Sequence, residues 1–114
     1  MERDFITAID PKAWLTADHE IAEAVGHAGF DWGVLDMEHS PLDMMDLVHL
    51  LQALSGSRMV PVVRVPWNDK VTIKRVLDAG ATTLLVPFVQ NAEEAARAVS
   101  AARYPPDGVR GMSS

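Results

Sequence analysis

Ala28-Gly29-Phe30-Asp31-Trp32 and Ala79-Gly80-Ala81-Thr82-Thr83 carry the same event at two places in the chain: an alanine-glycine helix stop, then a β-prone run. Glycine suits the stop because it takes left-handed backbone cheaply. Trp32 to Asp36 then reads as a buried strand. Outward from these phrases, apolar periodicity keeps switching between short runs and helical spacing. Phe5 to Ile9 is a short strand-like run closed by Asp10-Pro11. Asp18 is expected to cap a helix reaching Gly26 or Ala28, with Ile21, Ala24, Val25 and Ala28 on one face. Ser40 as N-cap, Pro41 at the first helical position and Asp43 in the first turn predict the next helix. Its apolar stripe is Leu47, Leu50, Leu51 and Leu54, and Ser55-Gly56-Ser57 ends it. Met59 to Val65 is a strand in which Pro61 removes one ladder donor. Asn68 or Asp69 opens a third helix, with Ile73, Val76 and Leu77 inward and Gly80 at its stop. Thr83 to Val86 is a fourth strand. Asn91 with Glu94 predicts a capping box for a helix that turns Ala95, Ala98, Val99 and Ala102 inward.

Strand starts near residues 5, 32, 60 and 83 describe a βα unit repeated about four times. Such crossovers require parallel strands, so the expected class is α/β. Two architectures compete: half of a (β/α)8 barrel, and an open doubly wound sheet. The second usually shows a glycine-rich phosphate turn after its first strand, and Ile9-Asp10-Pro11-Lys12 has none. The 114 residues fit one domain, 1–114, with no Gly/Ser linker. A full barrel needs about 250 residues, so a truncated, partial barrel is expected, with open sheet edges that another chain could complete.

Composition narrows the function. Ten Lys plus Arg against sixteen Asp plus Glu give a net charge of −6, which supplies no basic footprint for nucleic acid or an anionic membrane. Cysteine is absent, which excludes disulfides and thiolate metal sites. No stretch approaches the roughly 20 apolar residues of a membrane span, and no signal peptide is visible, so the expected compartment is the cytoplasm. Polar residues gather where the strands end: Asp36, Glu38 and His39 after the second, Arg64 on the third, Gln90 beyond the fourth. Element order alone sends them to the C-terminal rim, where βα folds place chemistry. Trp67 lies close enough to that rim to wall a pocket.

Five ordered phrases resemble the N-terminal half of the HpcH/HpaI aldolase family. They are Ala28-Gly29-Phe30-Asp31-Trp32, Leu35-Asp36-Met37-Glu38-His39, Val63-Arg64-Val65-Pro66-Trp67-Asn68-Asp69, Leu85-Val86-Pro87-Phe88-Val89-Gln90 and Arg103-Tyr104-Pro105-Pro106-Asp107-Gly108-Val109-Arg110-Gly111. The resemblance implies the N-terminal half of a TIM barrel from a class II pyruvate aldolase. Such an enzyme cleaves 4-hydroxy-2-oxo acids to pyruvate and an aldehyde through a metal-stabilised enolate. Within it His39 matches the catalytic histidine and Arg64 the arginine that stabilises the carbonyl or enolate oxygen. Asp78 matches an acidic residue that raises the histidine's basicity. Asp78 ends a helix, hence lies at the rim opposite His39, so this role calls for a neighbouring subunit in a homo-oligomer, a hexamer in the family. Asp36 and Glu38 are expected to orient the others, Gln90 to hydrogen-bond in its loop, and Arg110 to belong to an active-site loop. The divalent cation of the family (Mg, Mn or Co) takes its ligands from a region corresponding to positions beyond Ser114. No metal site is therefore expected within this chain, and the chain alone is expected to be inactive. The alternatives are a non-catalytic half-barrel that self-associates and a relative acting on CoA thioesters.

Overall fold

The computed structural model describes residues 19–112, and side chains from residue 22 onward. The strand expected at Phe5 to Ile9 and the Asp18 cap lie outside the described residues. From there the chain runs α1 (His19–Gly26), β1 (Trp32–Asp36), α2 (Met44–Leu54), β2 (Val60–Arg64), α3 (Lys70–Asp78), β3 (Leu84–Leu85) and α4 (Ala92–Ala102). All pairing is parallel, in the order β1-β2-β3. A doubly wound sheet reverses its order at a switch point; none falls among the described strands. Successive neighbouring strands, each followed by a helix, are the build of a partial (β/α)8 barrel.

Register follows from burial. Four of the five β1 residues are buried, so β1 reads as a nearly continuous apolar run rather than an alternating one. It pairs from Trp32↔Val60 to Asp36↔Arg64, and the backbone N–H of Met37 continues the ladder to the Arg64 carbonyl at 2.9 Å. Pro61 sits opposite Gly33. Leu47, Leu50, Val63, Val65, Ile73 and Val76 form the driest part of the core, where α2 and α3 lie against the strands.

Helix ends obey local chemistry, with one shift. Gly29 (φ +98°) and Gly80 (φ +117°) take the left-handed backbone that the sequence assigns to them. Asp69 caps α3, accepting from the Thr72 N–H at 2.9 Å and the Thr72 hydroxyl at 2.8 Å. These bonds, the backbone one foremost, hold its carboxyl below the ordinary range. Asn91 caps α4 through the Glu94 N–H at 2.8 Å. In place of the expected reciprocal bond to Asn91, the Glu94 carboxylate reaches one residue further back to the Gln90 N–H, at 2.7 Å.

The start of α2 is a correction. The cap is Asp43 rather than Ser40: Asp43 and Asp46 exchange bonds of 2.8 and 3.1 Å in a complete capping box. Leu42 before the cap and Leu47 at the fourth helical position are both buried, the spacing of a hydrophobic staple. That leaves residues 37–42 as a non-helical connection above the strand end.

Two helix faces also differ from expectation. On α1, Ala22 and Gly26 are buried while Ala24 is exposed, as is Ala28 just beyond the helix. A Cβ at Gly26 would meet Ser57 Oγ at 2.9 Å and Leu54 Cδ2 at 3.0 Å, so α1 approaches the end of α2 through its smallest residues. On α4, Ala101 is buried and Ala98 and Ala102 half-buried, whereas Ala95 and Val99 face outward. Leu77, Leu84, Val86, Ala98 and Val99 line an apolar groove along the β3 side of the sheet.

Replacing Asp43 by Ala removes the capping-box bond that its carboxylate accepts from the Asp46 N–H and should cost about 1 kcal/mol of stability. Urea unfolding of the variant against wild type measures it. A Ser40→Ala variant should leave the helix cap intact, and a larger loss there than at Asp43 would contradict the assignment.

Candidate active site

The two strands that carry the rim residues are locked at their last register pair. Asp36 ends β1, Arg64 ends β2, and they are direct partners. Arg64 Nε–H donates to Asp36 Oδ1 at 3.0 Å, while Nη2 donates to Oδ2, making a two-pronged pair. Oδ1 also accepts the backbone N–H groups of Glu38 (2.9 Å) and His39 (3.1 Å). Asp36 is only 5% exposed, and an unpaired carboxylate there would be costly. Burial pushes its pKa upward. The Arg64 hydrogen bond, the His39 and Glu38 N–H groups and the Arg64 charge together outweigh that, holding the carboxyl below its ordinary value. The same bond raises the Arg64 pKa against partial desolvation, with the charges of Asp36 and Glu38 adding to it.

This arrangement places His39. With its backbone tied to Asp36, His39 stands in the turn that follows the end of β1. There the His39 Nε2 contacts Glu38 Oε1. Arg64, two-fifths of whose donors are spent on Asp36, keeps its other N–H groups for a further oxygen. Trp67 follows β2 and Phe88 follows β3; their rings stack with centroids 4.6 Å apart, tilted 41°. Both remain more than half exposed, an apolar lip on the same edge. Phe88 holds φ +62°, a strained value for an aromatic residue. It was missed in the sequence, where Pro87-Phe88 gives no sign of left-handed backbone. Gln90 lies on the same side, exposed, its backbone engaged by Glu94.

Two expected site residues sit elsewhere. Asp78 is the last residue of α3, which runs back from the strand ends, so it lies at the opposite edge of the sheet. Arg110 joins it there: Nη2 donates to Asp78 Oδ1 at 3.0 Å, and the guanidinium lies 4.4 Å from the Tyr104 ring centre. Lys74 Nζ approaches the other Asp78 oxygen at 4.0 Å. Arg110 is therefore not a group of the His39 mouth in this chain. The contact spans 32 positions in sequence, which local patterns cannot register.

The rim residues do not fit a resident cation. Both Asp36 oxygens are occupied by Arg64 and the turn, a guanidinium stands beside them, and among the described residues no group of three or more His, Asp or Glu side chains could hold a metal ion. No helix of the described residues is long and apolar enough to cross a membrane.

The family model for HpcH/HpaI aldolase/citrate lyase matches residues 14–114. The 2-dehydro-3,6-dideoxy-6-sulfogluconate aldolase of Pseudomonas putida is 53% identical over 102 residues, 89% of this chain and 40% of that protein. The 5-keto-4-deoxy-D-glucarate aldolase of Enterobacter sp. (strain 638) is 57% identical over 91 residues, 80% of this chain and 36% of that one. The chain thus spans about two-fifths of the length of the curated relatives it matches. Among solved structures, an HpcH/HpaI aldolase/citrate lyase family protein from Burkholderia cenocepacia J2315 superposes with a TM-score of 0.84. It is 42% identical, over 87% of this chain and 41% of its own.

The depressed Asp36 pKa has a definite sign. A carboxyl that binds its proton less tightly when folded stabilises the fold above its ordinary range and loses that contribution as pH falls through the folded value. Asp36→Asn should therefore flatten the acid side of a stability-against-pH curve. At neutral pH it should cost about 1–3 kcal/mol by stranding the guanidinium. Urea midpoints collected from neutral to about pH 3 check both.

Proposed function

We propose a function on this premise: the chain belongs to the HpcH/HpaI aldolase/citrate lyase family. It supplies the proton-accepting and oxyanion-stabilising part of a carbon–carbon lyase that cleaves a 4-hydroxy-2-oxo acid to pyruvate and an aldehyde. The observation that carries this is the buried Asp36 carboxylate, which accepts both the Arg64 guanidinium and the backbone N–H of His39. The aldolases among its relatives, named for sugar-acid substrates, favour a substrate of that kind.

The steps follow from the two side chains. A neutral imidazole at His39 accepts the proton of the 4-hydroxyl as general base. The carbon–carbon bond between C3 and C4 breaks, its electron pair passing to the 2-oxo group as an enolate oxygen. Arg64, charged throughout and fixed by Asp36, meets that oxygen with its outward N–H donors. The aldehyde leaves, and protonation at C3 completes pyruvate. A divalent cation (Mg, Mn or Co) would supply further charge stabilisation when bound in the whole protein, and no step above is assigned to it. A homo-oligomer would let Asp78 of the partner subunit approach His39. Small 2-oxo acids and aldehydes, met in the cytoplasm, are the proposed ligands.

A chimera tests this: residues 19–112 replace the matching segment of the Enterobacter 5-keto-4-deoxy-D-glucarate aldolase, and pyruvate release is measured. The chimera should release pyruvate only with a divalent cation and leave malyl- and citryl-CoA untouched. In it, His39→Ala should lower kcat by about 10²–10⁴ with little change in pyruvate binding, and Arg64→Ala by about 10²–10³. Undiminished turnover in the His39 variant, or metal-free turnover trapped by borohydride as a lysine adduct, would contradict the mechanism.

A further inference from the structure

Arg110 is held more firmly than its place on the surface requires. Its Nη2 donates to Asp78 Oδ1 at 3.0 Å, and its guanidinium lies 4.4 Å from the Tyr104 ring centre. The side chain is 17% exposed, and its Nε is buried with no hydrogen-bond partner among the described residues. The backbone brings it there closely: at Gly111 a Cβ would meet Lys74 Cε at 3.0 Å. A partly exposed ion pair adds little to stability, and a buried N–H without a partner subtracts from it. Stability therefore does not account for the arrangement. Its direct effect falls on Asp78, a 38% exposed carboxylate at the end of α3. A free aspartate there would pass among its staggered rotamers, and the bond to Oδ1 selects one. Lys74 Nζ stands 4.0 Å from Oδ2, beyond hydrogen-bond reach, so that oxygen keeps its lone pairs for a donor from outside the chain.

We infer that Arg110 is a positioning residue for the mouth of a neighbouring subunit: it fixes the Asp78 carboxylate through Oδ1 and leaves Oδ2 to accept from His39 of the partner subunit. The inference rests on the proposed function, in which Asp78 of one chain approaches His39 of another. Within one chain Asp78 ends α3 while His39 follows β1, at opposite edges of the sheet, so the contact forms only between copies. An imidazole that meets a carboxylate already oriented loses less freedom on assembly than one that must arrest a turning side chain. Arg110 itself touches no ligand, and no proton moves at Asp78, which only accepts. The segment after α4, remote from its own chain's mouth, thereby acts on the next chain's. Arginine suits the task because its fork meets the carboxylate while its flat face lies on Tyr104. A lysine would keep the charge and lose both fits.

The test uses the Enterobacter aldolase chimera carrying residues 19–112, with kcat and KM measured for Asp78→Asn, Arg110→Ala and the pair. Arg110→Ala should lower kcat by about 10–100-fold, the scale of a misplaced group remote from the chemistry, and leave KM within about twofold. Added to Asp78→Asn, it should lower kcat by no more than about a further twofold, because Arg110 acts only through Asp78. Arg110→Lys should keep more of kcat than Arg110→Ala. Losses that multiply in the double variant, or an Arg110→Ala enzyme with wild-type kcat, overturn the inference. A readout independent of activity is the guanidinium ¹⁵N spectrum of the 114-residue chain, in which Arg110 is identified by the signals that vanish in Arg110→Lys. Its two Nη nitrogens should give separate signals in wild type, since the bond to Asp78 hinders their exchange, and should merge in Asp78→Asn. Merged signals in wild type overturn the inference without recourse to a variant. An inactive chimera beside separate signals removes the lyase proposal and leaves Arg110 as the residue that orients Asp78; an active chimera beside merged signals removes this inference only.

Discussion

One buried carboxylate joins two strands and a turn. Asp36 receives two hydrogen bonds from Arg64 across the β1–β2 register and two more from the backbone of its own chain at Glu38 and His39. Each donor would be insufficient singly. A carboxylate at 5% exposure is tolerated because all of its bonding capacity is used. The consequence reaches beyond stability: strand register, the direction of the guanidinium and the path of the His39 turn are set by the same four bonds. A slip of one residue between β1 and β2 would separate Asp36 from Arg64 and turn every β2 side chain to the other face.

The two edges of the sheet carry different duties. At the strand-end edge lie an imidazole, a guanidinium and two exposed aromatic rings, groups poorly suited to holding a fold together. At the other edge the chain after α4 is fastened down. Val109 N–H bonds to the Ser100 carbonyl at 2.8 Å and Arg110 N–H to the Arg103 carbonyl at 2.9 Å. Arg110 then bridges Tyr104 and Asp78, tying this segment to α3. Gly108 is required within it, since a Cβ there would lie 2.3 Å from the Ser100 carbonyl oxygen. The ion pair itself is partly exposed and adds little; the backbone bonds and the ring contact give the segment its course. Arg110 thus belongs to the structural edge within one chain.

Much of this was legible because the signals are local. Trp32 to Leu35 is a continuous apolar run closed by Asp36, and its bounds needed no partner to define them. Gly29 and Gly80 mark left-handed backbone, and Asp69 and Asn91 carry cap chemistry that acts within three residues. The convergence of Asp36, Glu38, His39 and Arg64 followed from βα order. What stayed hidden depends on geometry that the sequence does not spell out. Ser40-Pro41 has every local attribute of a helix start, yet the Asp43–Asp46 exchange and the burial of Leu42 moved the cap three residues on. The faces of α1 and α4 turned on close approach through Ala22, Gly26 and Ala101, where smallness counts for more than hydrophobicity. The partner of Arg110 and the strain at Phe88 are tertiary outcomes.

The central claim is that Asp36 and Arg64 act as one unit on which the His39 mouth is built. A double-mutant cycle on the stability of the chain, using Asp36→Asn, Arg64→Gln and the pair, measures that coupling directly. Groups sharing a buried charged hydrogen-bond pair should couple by about 1–3 kcal/mol, with the double variant losing far less than the sum of the single losses. Strictly additive losses would mean that the two side chains hold their places independently, and the account of the mouth would fail.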